Sequence, residues 1–145
     1  MATFGIDTNI LCYAMDPAYP EHRVCMKYLT ELSPEKQIAL NPTVIHEAYH
    51  VLVYSQKWEP QDARVRLGAI IGHPSTVFLN QTRATCTIGL KIAETKKIGG
   101  RDSLIISNLL TNKVSQFLTH DKELKELGSV SWRNSTLKII DPLEK

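Results

Sequence analysis

The sequence predicts a three-layer α/β/α fold, with a central, mainly parallel sheet of about five short strands covered by helices on both faces. Three observations predict it. Brief apolar runs recur along the chain, each closed by a turn residue or an acid. The longer stretches between them carry apolar residues at helical spacing. No repeat, Gly/Ser linker or low-complexity tract divides the 145 residues, so a single domain over 1–145 is expected.

Thr3 to Ile6 is the first run and stops at Asp7, with a helical segment from Thr8 to Ala14 behind it. Gln37 to Leu40 is the second run. It ends at Asn41-Pro42, after which Thr43 marks a helix carrying Val44, His46, Glu47, Val51 and Tyr54. Pro60, followed by Gln61 and Asp62, opens the next helix, because proline fixes φ and needs no N–H partner in a first turn. Thr76 to Leu79 is the third run. Gly99-Gly100 then turn the chain into Arg101-Asp102, the start of a helix with Leu104, Ile105, Leu109 and Leu110. Gln116 to Leu118 is the fourth run, leading through His120-Asp121 into a helix over Lys122 to Leu127, and Leu137 to Ile140 is the fifth.

Composition narrows the class. Hydrophobic content of 43% with 22% charged residues is ordinary for a folded protein. A net charge of +2 permits nucleic-acid binding without a dense basic face to demand it. Cys12, Cys25 and Cys86 are odd in number and widely spaced, so neither a disulfide framework nor a thiolate zinc knuckle is written here, and a reducing cytoplasm is the expected compartment. The opening MATFGIDTNILCYAM has no cationic start and breaks its apolar run with Asp7, unlike a secretory leader, and no run is long enough to span a bilayer.

Four acids stand where such a fold gathers ligands, at the carboxyl ends of parallel strands. Asp7 closes the first strand, Asp121 follows the fourth, Asp102 opens a helix, and Glu47 lies in the early turns of the helix after the second strand. An Asp in a helix's first turn also caps free amides, which is reason enough for any one of them alone. Glu47 sits among Val44, Ile45, Ala48 and Val51, on a face expected to pack inward, where a carboxylate needs a partner. Four carboxylates on one rim repel each other unless a cation offsets them. All-oxygen ligation suits Mg²⁺ or Mn²⁺, and such ions serve phosphodiester hydrolysis.

The segments FGIDTNIL, IHEAYHVL, GGRDSLIIS and FLTHDKEL, in that order, resemble the PIN-domain ribonucleases over nearly the whole chain. The resemblance implies a metal site of Asp7, Glu47, Asp102 and Asp121 that cuts single-stranded RNA. It also implies supporting roles for Asn9 and Thr119, in orienting the carboxylates or the attacking water. Many members are toxins of toxin–antitoxin pairs, held inactive by a small antitoxin protein, and a homodimer is a further family expectation. Ser103 stands where that family usually has Ala, and Leu124 where a Phe often follows the last acid.

Other chemistries compete for the same residues. His46-Glu47-Ala48-Tyr49-His50 spells the His-Glu-x-x-His of zinc peptidases, but the continuation VLVYSQKW supplies no third ligand at a recognisable spacing. An aspartyl-phosphate phosphatase needs a second Asp at the position of Asn9, and Gly99-Gly100 lack the Lys and Ser/Thr of a phosphate-cradling loop. A non-catalytic binding domain with an acidic rim is a third reading. Lys91, Lys96, Lys97 and Arg101 precede Asp102, and Lys122 and Lys125 follow Asp121, so basic residues flank two of the acids. Trp58 and Trp132 serve equally as stacking or packing residues.

Overall fold

A computed structural model describes residues 2–144. Five strands lie parallel: β1 (Ala2–Ile6), β2 (Lys36–Leu40), β3 (Thr76–Phe78), β4 (Gln116–Leu118) and β6 (Ser135–Ile140). A sixth, β5 (Ser129–Trp132), runs antiparallel to β6 at the edge, giving the order β3-β2-β1-β4-β6-β5. The fold is the three-layer α/β/α arrangement with six strands, not about five. The extra strand escaped notice because SVSW buries only Val130 and so presents no apolar run. Its turn to β6 passes through Arg133 at a φ of 53°, a left-handed position without the glycine that usually advertises it.

The helices are α1 (Thr8–Met15), the single turns α2 (His22–Cys25) and α3 (Lys27–Thr30), α4 (Pro42–His50), α5 (Pro60–Ile71), α6 (Arg83–Lys96), α7 (Gly100–Thr111) and α8 (Lys122–Leu127). α4 starts where expected, with Asn41 as the cap: its Oδ1 accepts from Val44 N at 2.9 Å, while the Thr43 hydroxyl donates to Gln81. A π-helical turn over Val51–Ser55 prolongs α4. α6 gives little sequence signal because Ile92 is its only fully buried large apolar residue, yet it packs extensively on α7. Gly89 makes that packing possible, since a Cβ there would lie 3.3 Å from the Leu104 backbone.

The core closes beneath the site. Ile6, Ile10, Leu11, Ile38, Leu40, Leu52, Ile105, Ile106, Leu109 and Phe117 are all essentially buried. Each such side chain contributes roughly 1.5–3 kcal/mol by leaving water, which fixes the strand ends that carry the acids. α7 rests directly on β1 at Gly5, where an added Cβ would stand 2.6 Å from Leu109 Cδ1. That close approach sets the depth at which Asp102, on α7, faces Asp7, two residues beyond Gly5.

Candidate active site

Order β2-β1-β4 puts the carboxyl ends of three parallel strands side by side, and the residues leaving them meet at one rim. Asp7 leaves β1 and caps α1: its Oδ1 accepts from Thr8 N at 2.8 Å. Its Oδ2 accepts from the wholly buried Thr119 hydroxyl at 2.7 Å. The same hydroxyl oxygen accepts from Asp121 N at 3.1 Å, so one threonine after β4 ties Asp7 to the Asp121 turn. Asp121 caps α8 through Leu124 N. Asp7, Thr8, Asn9, Glu47, His50, Val51, Arg101 and Asp121 line one cavity of about 310 Å³.

Arg101, which in sequence merely flanks Asp102, joins three of the acids. The Arg101 guanidinium assigns each nitrogen to a different acid. Nε lies 2.6 Å from both oxygens of Glu47, Nη1 donates to Asp102 Oδ1, and Nη2 lies 3.3 Å from Asp7 Oδ1. Nη2 also donates to Thr8 Oγ1 at 2.9 Å, and that hydroxyl donates to Glu47 Oε1 at 3.0 Å. Burial works against the charged guanidinium, but Asp7, Glu47 and Asp102 more than offset it and raise its pKa. A signal was available: Arg101 is in the first turn of α7, where the macrodipole disfavours a cation.

The partner expected for Glu47 is therefore Arg101, although the Glu47 side chain is 38% exposed and not turned into the core. Burial pushes the Asp102 carboxyl above its ordinary pKa; Arg101 pulls the other way, and Asp7 and Asp121 add to the rise. That coupling is the mark of like charges held close. Asn9 is exposed on the cavity wall, without a side-chain hydrogen bond among the described residues. Oxygen donors from four segments suit a hard divalent cation, and three of them already share one positive group. Among the described residues, no three His, Cys, Asp or Glu side chains gather closely enough to hold a metal ion as they stand.

The histidine pair does not build a zinc site. His46 is exposed rather than partly buried, and its Nδ1 lies 3.0 Å from Pro42 O. His50, also exposed, packs on the Tyr54 ring at 4.9 Å between centroids. Glu47, between them, is committed to Arg101 and Thr8.

Two buried aspartates hold the elements around the site, and sequence reasoning missed both. Asp141, just past β6, accepts from His120 Nδ1 and Lys125 Nζ at 2.8 Å each and from Leu143 N at 2.9 Å. Burial alone would raise its pKa, but Lys125, the Leu143 amide and His120 hold it below the ordinary carboxylate value. Lys125 is thereby spent on structure. Asp16, at the end of α1, accepts from Gln56 Nε2 and Trp58 Nε1, so Trp58 is anchored to the fold, with Arg66 over its ring. Trp132 packs against the core, and its indole N–H is buried without a partner among the described residues. Cys12 is buried, its pKa pushed up to about 12 by burial and by Asp16, Glu47 and Asp7, so its thiol is inert.

The comparisons agree with this architecture. The fold is shared with Mycobacterium tuberculosis VapC20, a Sarcin-Ricin loop cleaving toxin, at a TM-score of 0.71 and 13% identity over 90% of this chain and 98% of that one. A toxin–antitoxin complex from Klebsiella pneumoniae aligns over 100% of both chains at a TM-score of 0.66 and 16% identity. VapBC2 from Rickettsia felis, bound to a DNA fragment from its promoter, aligns at 0.65 and 19% identity over 96% of this chain and 99% of that one. A comparison with curated proteins gives no significant match. A model of the PIN domain matches residues 5–130, from β1 into β5 and across all four acids, and the chain belongs to the PIN-domain family.

Proposed function

We propose that the chain is a metal-dependent endoribonuclease that hydrolyses phosphodiester bonds of single-stranded RNA, acting as the toxin of a toxin–antitoxin pair in the cytoplasm. One observation carries the reading: Asp7, Glu47 and Asp102, from three distant segments, are drawn onto one cationic group at a cavity that Asp121 also lines. Asp7, Glu47, Asp102 and Asp121 would hold Mg²⁺ or Mn²⁺. When bound, the ion lowers the pKa of water and offsets charge on the phosphate.

The chain's own residues do the positioning. Thr119 fixes one oxygen of Asp7 and Thr8 N the other, and the Asp121 amide shares the Thr119 hydroxyl, so two acids keep their spacing. The Asn9 amide, exposed on the wall, is free to orient water or a phosphate oxygen. Lys91, Lys96, Lys97 and Lys122, all exposed, contribute general attraction for a polyanion. An apolar groove of about 550 Å³ between α4 and α5, lined by Ile45, Tyr49, Leu67 and Ile71 among others, suits an amphipathic antitoxin segment. The toxin–antitoxin complexes among the structural neighbours favour that partner.

The test is cleavage of mixed-sequence single-stranded RNA by purified protein with Mg²⁺ or Mn²⁺, beside EDTA and Asp7→Asn controls. Cutting that needs the metal and is lost in Asp7→Asn is the expected result. Cutting that survives both controls would overturn the reading.

A further inference from the structure

Resting on the metallonuclease reading, we propose that Arg101 is a built-in counter-ion: its guanidinium occupies the cation position of the acidic rim and is displaced when a divalent metal binds. All three guanidinium nitrogens are committed, Nε to Glu47, Nη1 to Asp102 and Nη2 to Asp7 and Thr8. The oxygens involved are the ones a metal needs. Asp7 Oδ2 accepts from the buried Thr119 hydroxyl, and Asp7 Oδ1, which also accepts from Thr8 N, is the oxygen that Nη2 contacts. Arginine and metal cannot both have it on the cavity side.

Position and mobility agree with a displaceable role. An arginine in a helix's first turn is on the wrong end of the dipole, so the acids and not α7 hold it there. Its side chain is 38% exposed, leaving a route to solvent by rotation about its own bonds. Gly99 and Gly100, just before it, have open space where a Cβ would stand and take no positive φ, so packing does not require glycine at either position. Held in place, Arg101 balances charge that would otherwise strain the folded rim, so the protein folds before metal arrives.

Mn²⁺ alone is titrated into the wild type, Arg101→Gln and Arg101→Lys, with free Mn²⁺ read by electron paramagnetic resonance. Removing a competing charge in direct contact is expected to tighten Mn²⁺ binding about tenfold in Arg101→Gln, within the range by which contacting groups couple. Arg101→Lys should fall between, since an ammonium cannot serve three carboxylates with a planar fan. Equal or weaker binding by Arg101→Gln would show that Arg101 organises the acids and does not compete, overturning the proposal. Because Arg101→Gln leaves three acids unpaired and its fold is at risk, nitrogen-15 spectra of the wild type provide a second reading. The Arg101 Nε–H signal should shift or exchange away as Mg²⁺ saturates the protein; an unchanged signal at saturation would refute displacement. If neither the wild type nor Arg101→Gln binds Mn²⁺ at millimolar levels, the metal reading itself fails. Equal binding by both sinks only the role of Arg101.

Discussion

Replacing Thr119 with valine keeps the shape of a wholly buried side chain and deletes one hydroxyl. That hydroxyl donates to Asp7 Oδ2 at 2.7 Å and accepts from Asp121 N at 3.1 Å. Valine leaves a carboxylate oxygen without its donor and a backbone amide without its acceptor. A hydrogen bond to a charged group is worth about 1.5–3 kcal/mol, and an orphaned buried amide costs about 1 kcal/mol more. Thr119→Val should therefore lose about 2.5–4 kcal/mol. Urea unfolding is the assay: the midpoint should fall with the slope unchanged, because the surface exposed on unfolding is the same. RNA cleavage should fall further than stability alone explains, since Asp7 Oδ2 loses its donor and the carboxylate is held only through Oδ1. Thr119→Ser, which keeps both bonds, should recover most of each loss. A Thr119→Val protein within about 0.5 kcal/mol of the wild type, the range of an uninvolved surface change, would refute the reasoning.

Asp141 sets an acid limit on stability. Its folded pKa lies below the ordinary carboxylate value, so its contribution is complete above the unfolded value of 3.8 and is lost as pH falls through the folded one. Asp141→Asn should lower Tm at neutral pH and converge with the wild type in strong acid; a parallel offset at every pH would contradict this. Gly5→Ala should cost about 1–3 kcal/mol in unfolding experiments, since the new methyl meets buried Leu109 and forces α7 off β1. The double change His46→Ala/His50→Ala should leave Mn²⁺ affinity within a few-fold, because neither imidazole contacts an acid of the rim. Loss of metal binding there would reopen the zinc reading.

Local signals explain what was legible. Asp7, Asp102 and Asp121 sit next to strand ends or helix starts, where apolar runs and turn residues mark their place, so the rim could be drawn before the structure. The hairpin strand β5 was not legible, because an edge strand with one buried residue carries no alternation worth reading. Thr8 and Arg101 show the other limit. Apart from Asp102, next to Arg101 in sequence, their partners lie 39 to 94 residues away, and nothing local says that a first-turn arginine will reach two more acids. The misfit with the helix dipole was the one available cue. Asp16 and Asp141 carry no sequence signal because their donors, Trp58, Gln56, His120 and Lys125, are supplied by the tertiary fold.

The most direct measurement of the metal site is an anomalous difference map from crystals of the wild-type protein soaked in Mn²⁺. The expected result is a peak among Asp7, Glu47, Asp102 and Asp121, with the Arg101 side chain turned to solvent. A map with no peak at the rim, or one whose only protein-bound Mn²⁺ sits against His46 or His50, would contradict it.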